Sequence, residues 1–178
     1  MSLPEFPYHP DPIATGSVKP SSTECLACRQ ARGFIYAGPT YAVEELVEAI
    51  CPWCIADGTA ARLFEADFTD VGSGIPGGIP ENVIETIARR TPGFLGWQQE
   101  HWLYHCNDGA AFLGAVGSDV LTNLPDAIES LRLEGEENGW TPEQIDDYID
   151  HLDKVGQPTA YLFRCRHCRT HLAYSDFT

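Results

Sequence analysis

The sequence predicts an α+β protein made of zinc-ribbon-like knuckles and short antiparallel strands, with several helices beside them. Three observations lead there. Six of the seven cysteines fall into C-x-x-C pairs, Cys25/Cys28, Cys51/Cys54 and Cys165/Cys168. Aromatic and β-branched runs of strand length adjoin the first and last pairs, and two later segments combine helical spacing with N-terminal start signals.

In chain order, residues 1–24 are rich in Pro, Ser and Thr. His9-Pro10-Asp11-Pro12 reads as extended or turn structure, because each proline biases its predecessor away from the helix. This predicts an N-terminal arm rather than a core element. Residues 25–70 form a zinc-ribbon-like lobe: a knuckle, a strand over Gly33-Phe34-Ile35-Tyr36, a return segment through residues 46–50, then a second knuckle. A short helix opened by Thr59 follows over residues 58–65. Residues 71–93 comprise a Gly/Pro-rich loop and a connecting helix over 81–90, with Arg89 and Arg90 in its last turn, where the helix dipole favours cations. Residues 94–178 predict an α+β lobe packed with the rest as one unit. In it, strands at 97–106 and 110–116 are joined by the turn Asn107-Asp108-Gly109. Acidic helices follow at 124–137 and 142–153, the second opened by the capping box Thr141-Pro142-Glu143-Gln144, with Ile145, Tyr148, Ile149 and Leu152 on one face. The last C-x-x-C pair lies between two further strands.

A hydrophobic content of 43% in 178 residues supplies a core. No run approaches the roughly 18 apolar residues of a membrane span. The first residues, with Pro4, Glu5, Pro7 and Pro10, lack the basic and apolar regions of a secretory signal. The expected compartment is the cytoplasm, where reducing conditions favour metal-bound over disulfide-bonded cysteines. An odd cysteine count fits a fully paired disulfide framework poorly.

Two thiolates two residues apart can face one ion from a tight turn, and two such turns complete a tetrahedral shell. Cys25, Cys28, Cys51 and Cys54 therefore predict a first zinc site. Cys165 and Cys168 need two more ligands, and Cys106 is the one remaining thiol, with 58 residues between it and Cys165. His101, His105, Asp108 and His171 compete for the fourth place. The favoured second site is Cys106, Cys165, Cys168 and His105, with His167 and His171 as neighbours rather than ligands. Adjacent strand residues point to opposite faces, so His105 and Cys106 can bind together only if a turn intervenes. Two zinc ions are expected. Cys51-Pro52-Trp53-Cys54 also has the form of a thioredoxin-like redox pair, but Ile55-Ala56-Asp57-Gly58 starts a long helix poorly, so a metal knuckle is preferred.

Closed sites of this kind stabilise folds and leave no position for a substrate. No phosphate loop, H-E-x-x-H motif or nucleophilic serine setting appears. A noncatalytic adaptor or regulator that meets a protein partner is the leading expectation. The competitor is a zinc hydrolase with an open second site near His105, Asp108, Cys165 and Cys168. The formal charge is −15, and residues 119–153 hold eleven acids against Arg132 alone, which disfavours nucleic acid. Arg29, Arg32, Arg164, Arg166 and Arg169 sit beside thiolates, where they compensate charge locally; contact with nucleic acid through them is the third reading.

Longer blocks carry a resemblance: 6–16 (Phe-Pro-Tyr-His-Pro-Asp-Pro-Ile-Ala-Thr-Gly), 35–41 (Ile-Tyr-Ala-Gly-Pro-Thr-Tyr) and 50–58 (Ile-Cys-Pro-Trp-Cys-Ile-Ala-Asp-Gly). Arg90-Thr91-Pro92-Gly93, Trp97-Gln98-Gln99-Glu100 and His105-Cys106-Asn107-Asp108 extend it. The chain resembles the CbrC family of bacterial proteins, which is linked genetically to colicin tolerance. The resemblance implies a bacterial cytoplasmic zinc-binding protein and brings no catalytic residues. It also suggests a glycine after the last knuckle cysteine, where this chain has Arg169, and a cysteine in some relatives where it has Ala110.

Overall fold

In the computed structural model, which describes residues 2–72 and 74–177, the chain is α+β. Ser73, in the Gly/Pro-rich loop, lies outside the described residues, as do Met1 and Thr178.

The N-terminal segment departs from the sequence expectation. Phe6, Tyr8, His9 and Val18 are all buried, and β1 (Val18–Pro20) pairs antiparallel with β2 (Phe34–Tyr36). The proline-rich stretch runs as a series of turns, with His9 N–H bonded to Phe6 O and Val18 N–H to Pro12 O, rather than as an extended arm. Its aromatic residues reach two core clusters, Phe6 joining that of the first cysteine quartet and Tyr8 the next. The partner of β2 is thus β1, not the return segment through 46–50, which forms no strand and instead accepts the Tyr36 N–H at the Ile50 carbonyl, 2.9 Å away.

Helices come close to their local signals. α1 (Pro52–Ala56) starts at the C-P-W-C element, α2 (Thr59–Phe64) follows, and α3 (Glu81–Arg90) ends in its two arginines. α4 (Ser118–Leu121) is a single turn. α5 (Pro125–Glu137) and α6 (Pro142–Asp150) are the two acidic helices, and the Thr141/Gln144 capping box forms with both hydrogen bonds in place. α5 and α6 approach closely at Gly135, where a Cβ would lie 2.6 Å from Ile145 Cγ1.

Strands follow their local signals less well. Only β3 (Tyr104–His105) forms within 97–106, and it pairs with the very short β4 (Asp108–Gly109). β5 (Ala111–Val116) joins β6 (Thr159–Arg164) and β7 (His171–Asp176) in one antiparallel sheet, in the order β5-β6-β7. The predicted 97–106/110–116 hairpin is therefore replaced by a two-pair ribbon and a long-range pairing. β6 is buried on both faces: Tyr161 and Phe163 enter the cluster of Phe94, Trp102 and Phe112, whereas Ala160 and Leu162 face Leu131 and Ile149 of α5 and α6. A bulge between Phe112 and Gly114, with Gly114 at φ 126°, resets the alternation of β5 so that Val116 joins the helical side.

Candidate metal centres

The first knuckle closes through two backbone bonds, Arg29 N–H to Cys25 O (2.8 Å) and Cys25 N–H to Gln30 O (3.0 Å). The second uses the same pair, Arg169 N–H to Cys165 O (3.2 Å) and Cys165 N–H to Thr170 O (2.8 Å). Both need a left-handed residue after the second cysteine, and arginine fills that place twice, Arg29 at φ 57° and Arg169 at φ 70°. The knuckle geometry is thus retained at both positions without glycine.

Segment 49–51 lies beside the first knuckle, fixed by the bond from Leu26 N–H to Ala49 O (2.9 Å), and α1 begins there with Cys51 as its N-cap. The Cys51 N–H donates to Cys25 Sγ at 3.2 Å, and Cys28 Sγ lies 3.9 Å from Cys51 Sγ. The Cys25 thiol is pulled well below its ordinary pKa, chiefly by the side-chain hydrogen bond with Cys51, which holds its own proton correspondingly tightly. Cys51 does start a helix, as a redox cysteine would, but the helix is five residues long and the thiols beside it are Cys25 and Cys28.

At the second knuckle, β6 and β7 are the flanking strands. Ala111 pairs with Arg164, so the β3–β4 ribbon just before β5 arrives at the same end of the sheet. The ribbon turns at Cys106 and Asn107, φ 53° and 56°, with His105 opposite Asp108, one residue earlier than the predicted turn. Because Cys106 sits on the turn, strand alternation does not bind it, and its thiol and the His105 ring face the same point. His105 Nδ1 lies 3.2 Å from Cys106 Sγ and 3.3 Å from Cys168 Sγ; the two sulfurs are 3.8 Å apart. The Cys168 thiol is lowered to about 6, first by its hydrogen bond with Thr170, and Cys106 is raised to about 11, first by its bond to Cys168.

Each group, Cys25/Cys28/Cys51/Cys54 and His105/Cys106/Cys165/Cys168, brings its donor atoms within 4.8 Å of one another. Zinc with sulfur ligands at about 2.3 Å in a tetrahedron requires sulfur–sulfur edges of about 3.8 Å, and nitrogen–sulfur edges of about 3.6 Å. The sulfur separations above lie close to that value and the nitrogen–sulfur separations slightly under it, so both quartets are geometrically compatible with such an ion.

The other candidates for the fourth place are elsewhere. His101 packs edge-on against Tyr174, and His171 lies against Asp126, 3.3 Å away. Asp108 is buried and fully engaged: Oδ1 accepts from the Tyr8 hydroxyl (2.8 Å) and from Gly109 N–H (2.8 Å), while Oδ2 meets Arg166 Nη1 (2.7 Å) and His167 Nε2 (2.9 Å). The Arg166 guanidinium also lies over the Tyr8 ring, 4.5 Å from its centroid. Asp108 therefore binds ribbon, knuckle and N-terminal segment together, a role that its sequence neighbourhood does not reveal, because Tyr8, Arg166 and His167 are 58 to 100 positions away.

Comparison with known proteins places the chain in a family. The model of the "Uncharacterised protein family (UPF0167)" matches residues 3–177. The chain belongs to UPF0167. UPF0167 proteins of Mycobacterium bovis and Mycobacterium tuberculosis are each 54% identical over 177 residues, covering 99% of this chain and 95% of the relative. A UPF0167 protein of Pseudomonas aeruginosa is 38% identical over 177 residues, covering 99% and 98%. No solved structure matches. Among the described residues, no helix is long and apolar enough to cross a membrane.

Proposed function

We propose that the chain is a noncatalytic zinc-binding protein of the cytoplasm, an adaptor or regulator whose two metal centres fix its loops while its surface meets a protein partner. One observation supports this reading above others: each quartet offers four converging donors, so a tetrahedral ion held there has no position left for a substrate. The hydrolase alternative drew on Asp108 as a ligand beside an open position, but that carboxylate is already committed to Tyr8, Arg166 and His167. The exposed acids of α6 and the residues after it, Glu143, Asp146, Asp147, Asp150 and Asp153, are the proposed contact face, and the CbrC resemblance extends the reading to colicin tolerance.

Metal analysis of the purified chain tests the proposal. Two zinc ions per chain are expected, falling to one in Cys25→Ser and to one in Cys165→Ser. An unchanged count in either variant, or an intact metal-free protein with reactive Cys51 and Cys54, would overturn it.

A further inference from the structure

The quartets differ in what can reach them. In the first, Cys25, Cys51 and Cys54 are buried and Cys28 is half-buried. In the second, Cys165 is buried while Cys106 and Cys168 are both exposed, with their sulfurs 3.8 Å apart. We infer that Cys106 and Cys168 form a reversible oxidation site: a hydroperoxide joins them as a disulfide and expels the metal from the second centre, while the first keeps its own. This rests on the metal-binding reading above.

Metal-bound thiolates remain nucleophiles, so access decides which of them an oxidant consumes. Closing to a disulfide requires the sulfurs to approach to about 2.05 Å. Both thiols sit on exposed turns and not in a helix or strand. Cys106 is at the apex of a ribbon held by two residue pairs, and Cys168 is the outer cysteine of its knuckle, its sulfur held by the Thr170 hydroxyl and the other members of the quartet. Cys165, in contrast, has its N–H bonded to Thr170 and its carbonyl bonded to Arg169. In the first step one thiolate attacks a peroxide oxygen; the O–O bond breaks, hydroxide or alkoxide leaves, and a sulfenic acid forms. The second thiolate attacks that sulfur, the S–O bond breaks, hydroxide leaves and the S–S bond forms. Two electrons pass from the sulfur pair to the peroxide, and two protons from solvent complete a water and an alcohol, or two waters from hydrogen peroxide. Cys165, released from metal, takes a proton. His105 and Cys165 alone are too few donors to retain zinc tightly. The Asp108 bonds to Tyr8, Arg166 and His167 do not pass through the metal, so ribbon and knuckle stay together and a thiol reductant restores the quartet.

The test uses the full metal-loaded chain, counted for zinc beforehand, then treated with hydrogen peroxide in up to about tenfold excess. A chromogenic chelator reports release, and peptide mass mapping reports linkage. One ion should leave at least about tenfold faster than the other, with a Cys106–Cys168 link, a mass loss of about 2 Da, and recovery of the site after reduction and zinc. Release of both ions together, no release, or a link through Cys165 overturns the inference. Fewer than two ions at the start defeats the metal reading instead, and the linkage map alone then decides whether Cys106 and Cys168 pair.

Discussion

His9 has both ring nitrogens engaged, Nδ1 2.6 Å from the Pro92 carbonyl oxygen and Nε2 2.7 Å from the Thr15 hydroxyl, and its ring packs edge-on against Phe112. Burial disfavours the charged ring and outweighs the opposing pull of the Pro92 carbonyl, lowering its pKa from 6.5 to about 4. The unfolded chain therefore takes up a proton at His9 from pH 6.5 downward while the folded chain does not. Stability from this residue is full above pH 6.5, declines toward pH 4, and is lost to the extent of about 3 kcal/mol below it. Urea unfolding of wild type and His9→Gln at pH 7.5 and pH 4.5 checks this: the acid-induced loss should be smaller in the variant by about 2 kcal/mol. Equal losses would show that His9 does not set the acid limb. The sequence marked His9 only as part of an extended Pro-rich stretch. Its burial depends on Phe112 and Pro92, far along the chain, and no local pattern encodes that.

At the scale of elements, the knuckles show which features a sequence makes legible. Two cysteines two residues apart specify a turn locally, which holds at Cys25/Cys28 and Cys165/Cys168, whereas the expected knuckle at Cys51/Cys54 is instead the start of α1. Of the two residues that meet the third pair, Cys106 was legible as the single thiol left over, whereas His105 competed with His101, Asp108 and His171, because only the turn at Cys106 brings that thiol and the His105 ring together. Helices were legible for the same local reason, through caps, prolines and charge at their ends. Strand pairing was not, because β1–β2 and β5–β6 join segments whose complementarity depends on packing. The left-handed arginines yield a direct prediction. A side chain at such a φ costs about 1 to 2 kcal/mol, whereas glycine loses about 0.5 to 1 kcal/mol through the greater freedom of its unfolded chain. Arg169→Gly in the metal-loaded protein should therefore be neutral to about 1 kcal/mol more stable, and Arg169→Val clearly less stable, in paired thermal or urea melts. Destabilisation by glycine would mean that the Arg169 side chain has a role of its own.

For the whole molecule, the N-terminal segment stitches the clusters together. Phe6 belongs to the core around the first quartet, Tyr8 to the core beneath the sheet and to Asp108 beside the second quartet. Removing two buried aromatics costs about 3 to 5 kcal/mol each, which rivals the whole stability of a domain of this size. A chain lacking residues 2–16 should lose its cooperative thermal transition and retain zinc poorly at the second centre. A truncated protein melting within a few degrees of wild type would restore the view of this segment as a dispensable arm.

The spacing of the two quartets along the chain also has a meaning in time. All four donors of the first lie within residues 25–54, whereas the second draws on residues 105 and 106 and then waits for 165 and 168, with α4, α5 and α6 made in between. Chains emerge from the ribosome from the N-terminus at about 5 to 20 residues per second. Under the proposed metal binding, the donors for a first ion are therefore complete while most of the protein is still unmade, and those for a second only after β5 and β6 have been synthesised. On that proposal, metal supply would act at two separate moments in the birth of one molecule.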